Sequence, residues 1–109
     1  MVAKHALSES DLMRQIMVAL SEDGHFVARA NVGLFFTADG RPVKTGLPRG
    51  FSDLFGHRLA DCRAFYLEVK TATGRPTKEQ LAFIAAMKKR GALAGIVRSV
   101  EDARRVLAG

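Results

Sequence analysis

Three residues of this sequence have the types and spacing to do chemistry together: Asp53, Glu68 and Lys70. Glu68 and Lys70 lie in the segment Phe65-Tyr66-Leu67-Glu68-Val69-Lys70. Alternate side chains of a strand share a face, so Glu68 and Lys70 point one way while Leu67 and Val69 point the other. An isolated pair of this kind is usually an ion pair where a sheet meets solvent. Asp53, fifteen residues before Glu68, changes that reading. If Leu54-Phe55 and Phe65-Leu67 are antiparallel neighbours, the start of one strand lies beside the end of the other and Asp53 faces Glu68. Two carboxylates held together repel unless a cation lies between them. Mg²⁺ suits such a site, with Mn²⁺ as a substitute, because it takes oxygen ligands and keeps waters able to attack a phosphate. The backbone carbonyl of Val69 is a candidate third ligand. Lys70 would then supply positive charge where a pentacovalent phosphorus intermediate becomes more negative.

The elements that must position these residues are legible as well. Leu12, Ile16 and Leu20, flanked by Met13 and Met17, recur at helical spacing, which predicts a helix over Ser8–Leu20 that starts at Ser8 or Ser10 and stops near Gly24. Phe26 to Phe36 reads as a strand leading into a hairpin at Asp39-Gly40. Residues 41–50, with two prolines and two glycines, form a loop with room for a short strand at its start. An apolar pattern resumes over Phe51–Phe55, a turn occupies Gly56–Arg63, and Ala64–Lys70 is the clearest strand in the chain. Thr77 caps a helix to about Arg90 whose apolar stripe is Leu81, Phe83, Ile84 and Met87, and Gly91 ends it. Ala94–Arg98 is a short strand, and Ser99 caps a last helix through Leu107. Helix, three strands, helix, strand, helix describes a mixed sheet flanked by helices, an α/β or α+β layer fold.

Size and charge set the bounds. The 109 residues, 48% of them hydrophobic, are material for one domain spanning 1–109, and a chain this small often dimerises to gain buried area. The apolar runs fall far short of the roughly 20 residues that cross a bilayer. Met1–Ser10, with Lys4 and His5, has no apolar core or cleavage signal of a secretory leader. A single cysteine, Cys62, excludes an intrachain disulfide and fits a reducing cytosol. The net charge of +6 attracts polyanions, nucleic acid among them.

With these residues in view, the chain resembles the PD-(D/E)xK nuclease superfamily and, within it, the VRR-NUC (virus-type replication-repair nuclease) family. The matching pieces, in order, are S-E-S-D-L in the first helix, R-A-N-V-G at 29–33, G-L-P-R-G-F-S-D-L at 46–54, L-E-V-K at 67–70 and G-R-P-T-K-E-Q at 74–80. The resemblance implies a restriction-endonuclease-like α/β core of helix, three strands, helix and strand. It implies metal binding by Asp53 and Glu68 with Lys70 catalytic, Glu9 approaching the metal through water or as an outer ligand, and Gln80 near the active site. Ser52 stands where the family pattern has proline, which leaves the ligand itself in place. The implied activity is a metal-dependent, structure-specific DNA endonuclease of DNA repair, replication or recombination, similar to Holliday-junction resolvases or flap nucleases. Stand-alone domains of this length look like cytoplasmic phage or bacterial proteins and are similar to dimeric resolvases, in which a two-fold axis places two nicks symmetrically. A helicase or other repair protein is the partner such a nuclease would work with.

Several of these residues have structural explanations too. Glu9, in a helix's first turn, complements the helix dipole, and Asp11 closes a box with Ser8. Thr77-Lys78-Glu79-Gln80 fits a capping box in which Gln80 bonds back to the Thr77 amide, a role compatible with a place near the site. Asn31, close to Gly33, reads as a turn residue. His5, His25 and His57 have no zinc spacing with Cys62 and read as surface groups. Arg41, Lys44, Arg49 and Arg75 lie in loops bordering the site and are candidate phosphate contacts, whereas Lys88, Lys89, Arg90, Arg104 and Arg105 read as solvated helix faces. The alternative function is a nucleic-acid binding module on the same fold with weak or no catalysis. A small basic interaction domain would leave Asp53, Glu68 and Lys70 unexplained, and no P-loop, Ser/His/Asp set or CxxC supports other chemistry.

Overall fold

The computed structural model describes residues 7–109; Lys4 and His5 lie outside the described residues, as does most of the segment read for a leader. Ser8 caps helix α1 (Glu9–Glu22), its hydroxyl accepting from the Asp11 amide at 3.1 Å. Strands β1 (Phe26–Arg29), β2 (Leu34–Phe36), β3 (Pro42–Lys44), β4 (Leu54–His57) and β5 (Ala64–Val69) follow, then helix α2 (Lys78–Lys89), strand β6 (Leu93–Val97) and helix α3 (Val100–Ala108). No helix is long and apolar enough to cross a membrane.

The main sheet has the order β1-β4-β5-β6, antiparallel except for the parallel β5–β6 pair that the α2 crossover connects. This is the mixed sheet of a restriction-endonuclease-like core. Along β5, Phe65, Leu67 and Val69 point to one face with Leu54 of β4 and Leu93 and Val97 of β6. There they meet Leu12, Met13, Ile16 and Leu20 of α1 and Ala103 and Leu107 of α3, which closes the hydrophobic core. Tyr66, Glu68 and Lys70 take the opposite face, toward α2.

Three expectations about the elements and one about His25 are corrected, and the short strand after Asp39-Gly40 is borne out. Phe26–Phe36 is not one strand: β1 joins the main sheet, while β2 pairs only with β3 in a separate two-stranded hairpin. The break falls at Asn31-Val32-Gly33, where Gly33 takes a φ of +116°, a conformation that ends a strand. The room left for a strand after Asp39-Gly40 is filled by β3, with the Thr37 amide donating to the Arg41 carbonyl at 2.8 Å across the turn. β4 starts one residue after Asp53 and continues through His57, so the turn to β5 is shorter than the pattern indicates. Leu81 is 51% exposed, and Ile84 is the buried residue of α2, so the stripe is narrower than its spacing predicts. His25 also does more than occupy surface. Its Nδ1 accepts from the Leu59 amide at 3.0 Å and its ring packs edge-on against Phe65.

Candidate active site

Pairing of Leu54 with Leu67 continues to Asp53 opposite Glu68, the register the sequence pattern indicates. Asp53 sits just ahead of β4 and is fixed from two sides. Its carbonyl accepts from the Ala30 amide at 2.8 Å, and its carboxylate Oδ2 accepts from the Val69 amide at 2.9 Å. The side chain is thereby held against β5 next to Glu68. The Lys70 amide donates to the Val97 carbonyl at 3.0 Å, which fixes the end of β5 against β6.

Among the described residues, Glu68 is the one charged residue with a fully buried side chain, at 1% exposure. Its Oε1 accepts from Gln80 Nε2 at 2.7 Å and lies 3.7 Å from Lys70 Nζ. Its Oε2 is buried without a hydrogen-bonding partner. An unpartnered buried carboxylate oxygen is costly, and burial first, then the neighbouring Asp53 carboxylate, push the Glu68 carboxyl up to about 8; Lys70 opposes this.

Gln80 serves two masters from one amide. Its Oε1 accepts from the Thr77 amide at 2.8 Å while its own backbone amide donates to the Thr77 hydroxyl at 3.1 Å, completing the capping box of α2. Its Nε2 is left free to hold Glu68. Gly50 sets α2 against the loop before Asp53. At a φ of +86°, it lies where an added Cβ would come within 2.4 Å of the Glu79 carbonyl oxygen, so only glycine permits this approach.

The donor set suits a small hard cation. Mg²⁺ is held in many sites by one or two carboxylates, with water and phosphate oxygens completing its shell, and here two adjacent carboxylates include an orphaned oxygen. Among the described residues no third Asp, Glu, His or Cys joins the pair. Glu9 stands in the first turn of α1 and is not gathered with Asp53 and Glu68.

A cleft of 510 Å³ opens beside the pair, lined by Asp53 and Gln80 together with Arg29, Asn31, Phe35 and Arg49. Glu68 and Lys70 are not among its lining residues. Of the four cations expected at the border, Arg49 lines this cleft, and Lys44 joins Arg49 in a neighbouring depression. Arg41 pairs with Asp39 at 3.1 Å on the hairpin tip, and Arg75 is exposed in the loop between β5 and α2. Arg29 and Phe35 were not among the expected site residues. Arg29 lies within the R-A-N-V-G piece, one step before the segment that meets Asp53, and that position is its sequence signal. Phe35 has no such signal, because its place depends on the hairpin leaving the main sheet.

This arrangement is that of a restriction-endonuclease-like fold. Its particular form is the VRR-NUC fold, as solved structures show. One, described as "VRR_NUC domain", superposes with a TM-score of 0.63 at 21% identity, covering 92% of this chain and 94% of that one. A second, "VRR_NUC domain protein", has a TM-score of 0.60 at 18% identity, covering 95% of this chain and 88% of the other. No protein-family model matches the sequence, and no curated protein matches it.

Proposed function

We propose that this chain is a Mg²⁺-dependent endonuclease that hydrolyses phosphodiester bonds of branched DNA. The observation that carries this reading is the buried Glu68 oxygen left without a partner beside Asp53, with Lys70 3.7 Å from the other oxygen of the same carboxylate. Asp53 and Glu68 would hold the cation, with the Val69 carbonyl and a water-linked Glu9 as further ligands. The cation, when bound, supplies positive charge and a polarised water for attack at phosphorus. Lys70 contributes a fixed ammonium beside the negative charge that grows on the phosphate oxygens during attack. Gln80 keeps Glu68 oriented through its Nε2 hydrogen bond, and Asp53 is kept in place by the Val69 amide. Arg49, with Arg41, Lys44 and Arg75, would contact phosphates, a role in keeping with the net charge of +6.

A homodimer acting in the cytoplasm of a bacterium, or of a phage-infected cell, belongs to the same reading, as does cooperation with a helicase or other repair protein. Paired sites related by a two-fold axis suit the symmetrical nicking of a four-way junction. Sedimentation giving only monomer at micromolar concentration would remove the dimer from the proposal.

The test uses the purified protein with labelled duplex, flap, single-stranded and four-way-junction DNA in Mg²⁺, Mn²⁺ or EDTA. Cleavage is expected with either metal and not in EDTA, and it is lost in Lys70→Ala while DNA binding survives. Cleavage that persists in EDTA, or is unaffected by Asp53→Asn, overturns the mechanism. Binding without cleavage under every condition points to the non-catalytic binding module.

A further inference from the structure

The geometry points to a second recognition element beside the carboxylate pair: a site for one unpaired nucleotide, in which Phe35 stacks on the base and Arg29 and Arg49 hold the flanking phosphates. The inference rests on the nuclease reading for its substrate class, DNA, and on the cleft for everything else.

Phe35 is an unusual residue to leave in solvent. It sits in the middle of β2, paired with Val43, and is 49% exposed. Its hairpin is not hydrogen-bonded to the main sheet and leaves Leu34, Phe36 and Val43 exposed as well, so core packing does not explain an aromatic side chain there. What Phe35 does line is the cleft that contains Asp53. Phe36 and Leu34, its neighbours, do not line that cleft, in keeping with the alternation of strand side chains. Phe35 is therefore the residue of β2 that the cleft takes in.

Two cations, Arg29 and Arg49, and two acids, Asp53 and Glu79, line the same cleft. Arg29 and Arg49 come from the end of β1 and from the loop before Asp53, and neither has an ion-pair or hydrogen-bonding partner among the described side-chain contacts. Guanidinium groups outside any ion pair fit phosphate oxygens, and the acids of the cleft favour an arrangement in which phosphate meets Arg29 and Arg49 away from Asp53 and Glu79. Asn31 adds an amide with both a donor and an acceptor for a base edge. The cleft's 510 Å³ falls in the range of about 300–1,000 Å³ typical of small-ligand pockets, room for a single nucleotide. Stacking on an aromatic side chain requires a base whose face is free, so the cleft favours unpaired over paired DNA.

The measurement is binding, made in EDTA so that cleavage does not contribute. Fluorescence anisotropy compares a fully paired duplex with a forked duplex of equal length that carries unpaired arms, and a 2-aminopurine in the arm reports stacking directly. The wild-type protein is expected to bind the fork about 5- to 100-fold more tightly than the duplex, the range that stacking of one base on one aromatic ring supplies. Phe35→Ala should erase that preference and the 2-aminopurine quenching while leaving duplex affinity unchanged, and Phe35→Trp should restore both. Equal affinity of the wild type for fork and duplex overturns the inference, as does a preference that survives Phe35→Ala in a folded variant. The two readings fail separately. A fork preference that depends on Phe35, without cleavage in any metal, removes the nuclease and keeps the nucleotide site. Metal-dependent cleavage with no effect of Phe35 does the reverse.

Discussion

The two faces of the central sheet are built from the same strands to opposite ends. On the α1/α3 face, Leu54, Phe65, Leu67, Val69 and Val97 are fully buried and pack with the apolar side chains of α1 and α3. On the α2 face, Tyr66 joins Phe51 and Phe83 in an aromatic cluster, and beyond it the same strand carries Glu68 and then Lys70. One face minimises its free energy by excluding water from apolar surface. The other retains a buried carboxylate with an orphaned oxygen, a local conflict of the kind concentrated at functional sites. The stability supplied by the first face offsets the cost of that unpartnered oxygen on the second.

That contrast can be broken by substitution, and the largest effect is expected on the α2 face, in activity alone. Lys70→Ala should lower metal-dependent cleavage by about 100- to 1,000-fold, the usual cost of losing one group that stabilises transition-state charge, while thermal melting changes little. Phe65→Ala should do the converse. It removes a fully buried ring from the apolar face and is expected to cost about 3–5 kcal/mol in urea denaturation.

Glu68→Gln sharpens the comparison through pH. The folded protein raises this carboxyl from an ordinary 4.5 to about 8, so the native state binds the proton more tightly than the unfolded chain does. Its contribution is favourable below pH 4.5 and is lost progressively as pH rises toward 8, with a total on the order of a few kcal/mol. Metal-free melts of the wild type should therefore decline across that window, and Glu68→Gln should flatten the decline and be the more stable protein at pH 8. A wild-type profile that rises from pH 4.5 to 8 would contradict the burial of Glu68. The smallest effect is expected for Gln80→Ala, which removes half of a capping box and the Nε2 donor to Glu68 at a cost of about 1–3 kcal/mol. Gln80→Glu keeps the cap acceptor but sets a second carboxylate against Glu68, and should steepen the pH decline.

The sequence and the structure agree best where a local pattern is enough. The helical spacing of Leu12, Ile16 and Leu20, the strand at 64–70 and the register that sets Asp53 opposite Glu68 follow from periodicity and turn placement. The Thr77–Gln80 box was legible for the same reason, since capping is decided within four residues. Phe26–Phe36 misleads because β1 and β2 have similar composition, and only their different hydrogen-bonding partners separate them. The cleft was hidden in turn: Arg29, Phe35 and Gln80 come together through a hairpin that departs from the sheet and a glycine that admits the Glu79 carbonyl, neither of which spacing can reveal. Leu81 shows the limit of a stripe read from one helix, because burial depends on how far the partner sheet extends.

The shared amide of Gln80 couples a site to a helix end. Fraying of the first turn of α2 would withdraw Nε2 from Glu68 in the same movement that releases the Thr77 amide. Occupancy of the carboxylate pair and the closed state of that turn are then linked equilibria, each biasing the other by an equal free energy. Hydrogen exchange at the amides of Thr77 and Gln80 becomes a gauge of what is bound some residues away, slowing or quickening according to whether the occupant keeps Gln80 at its post.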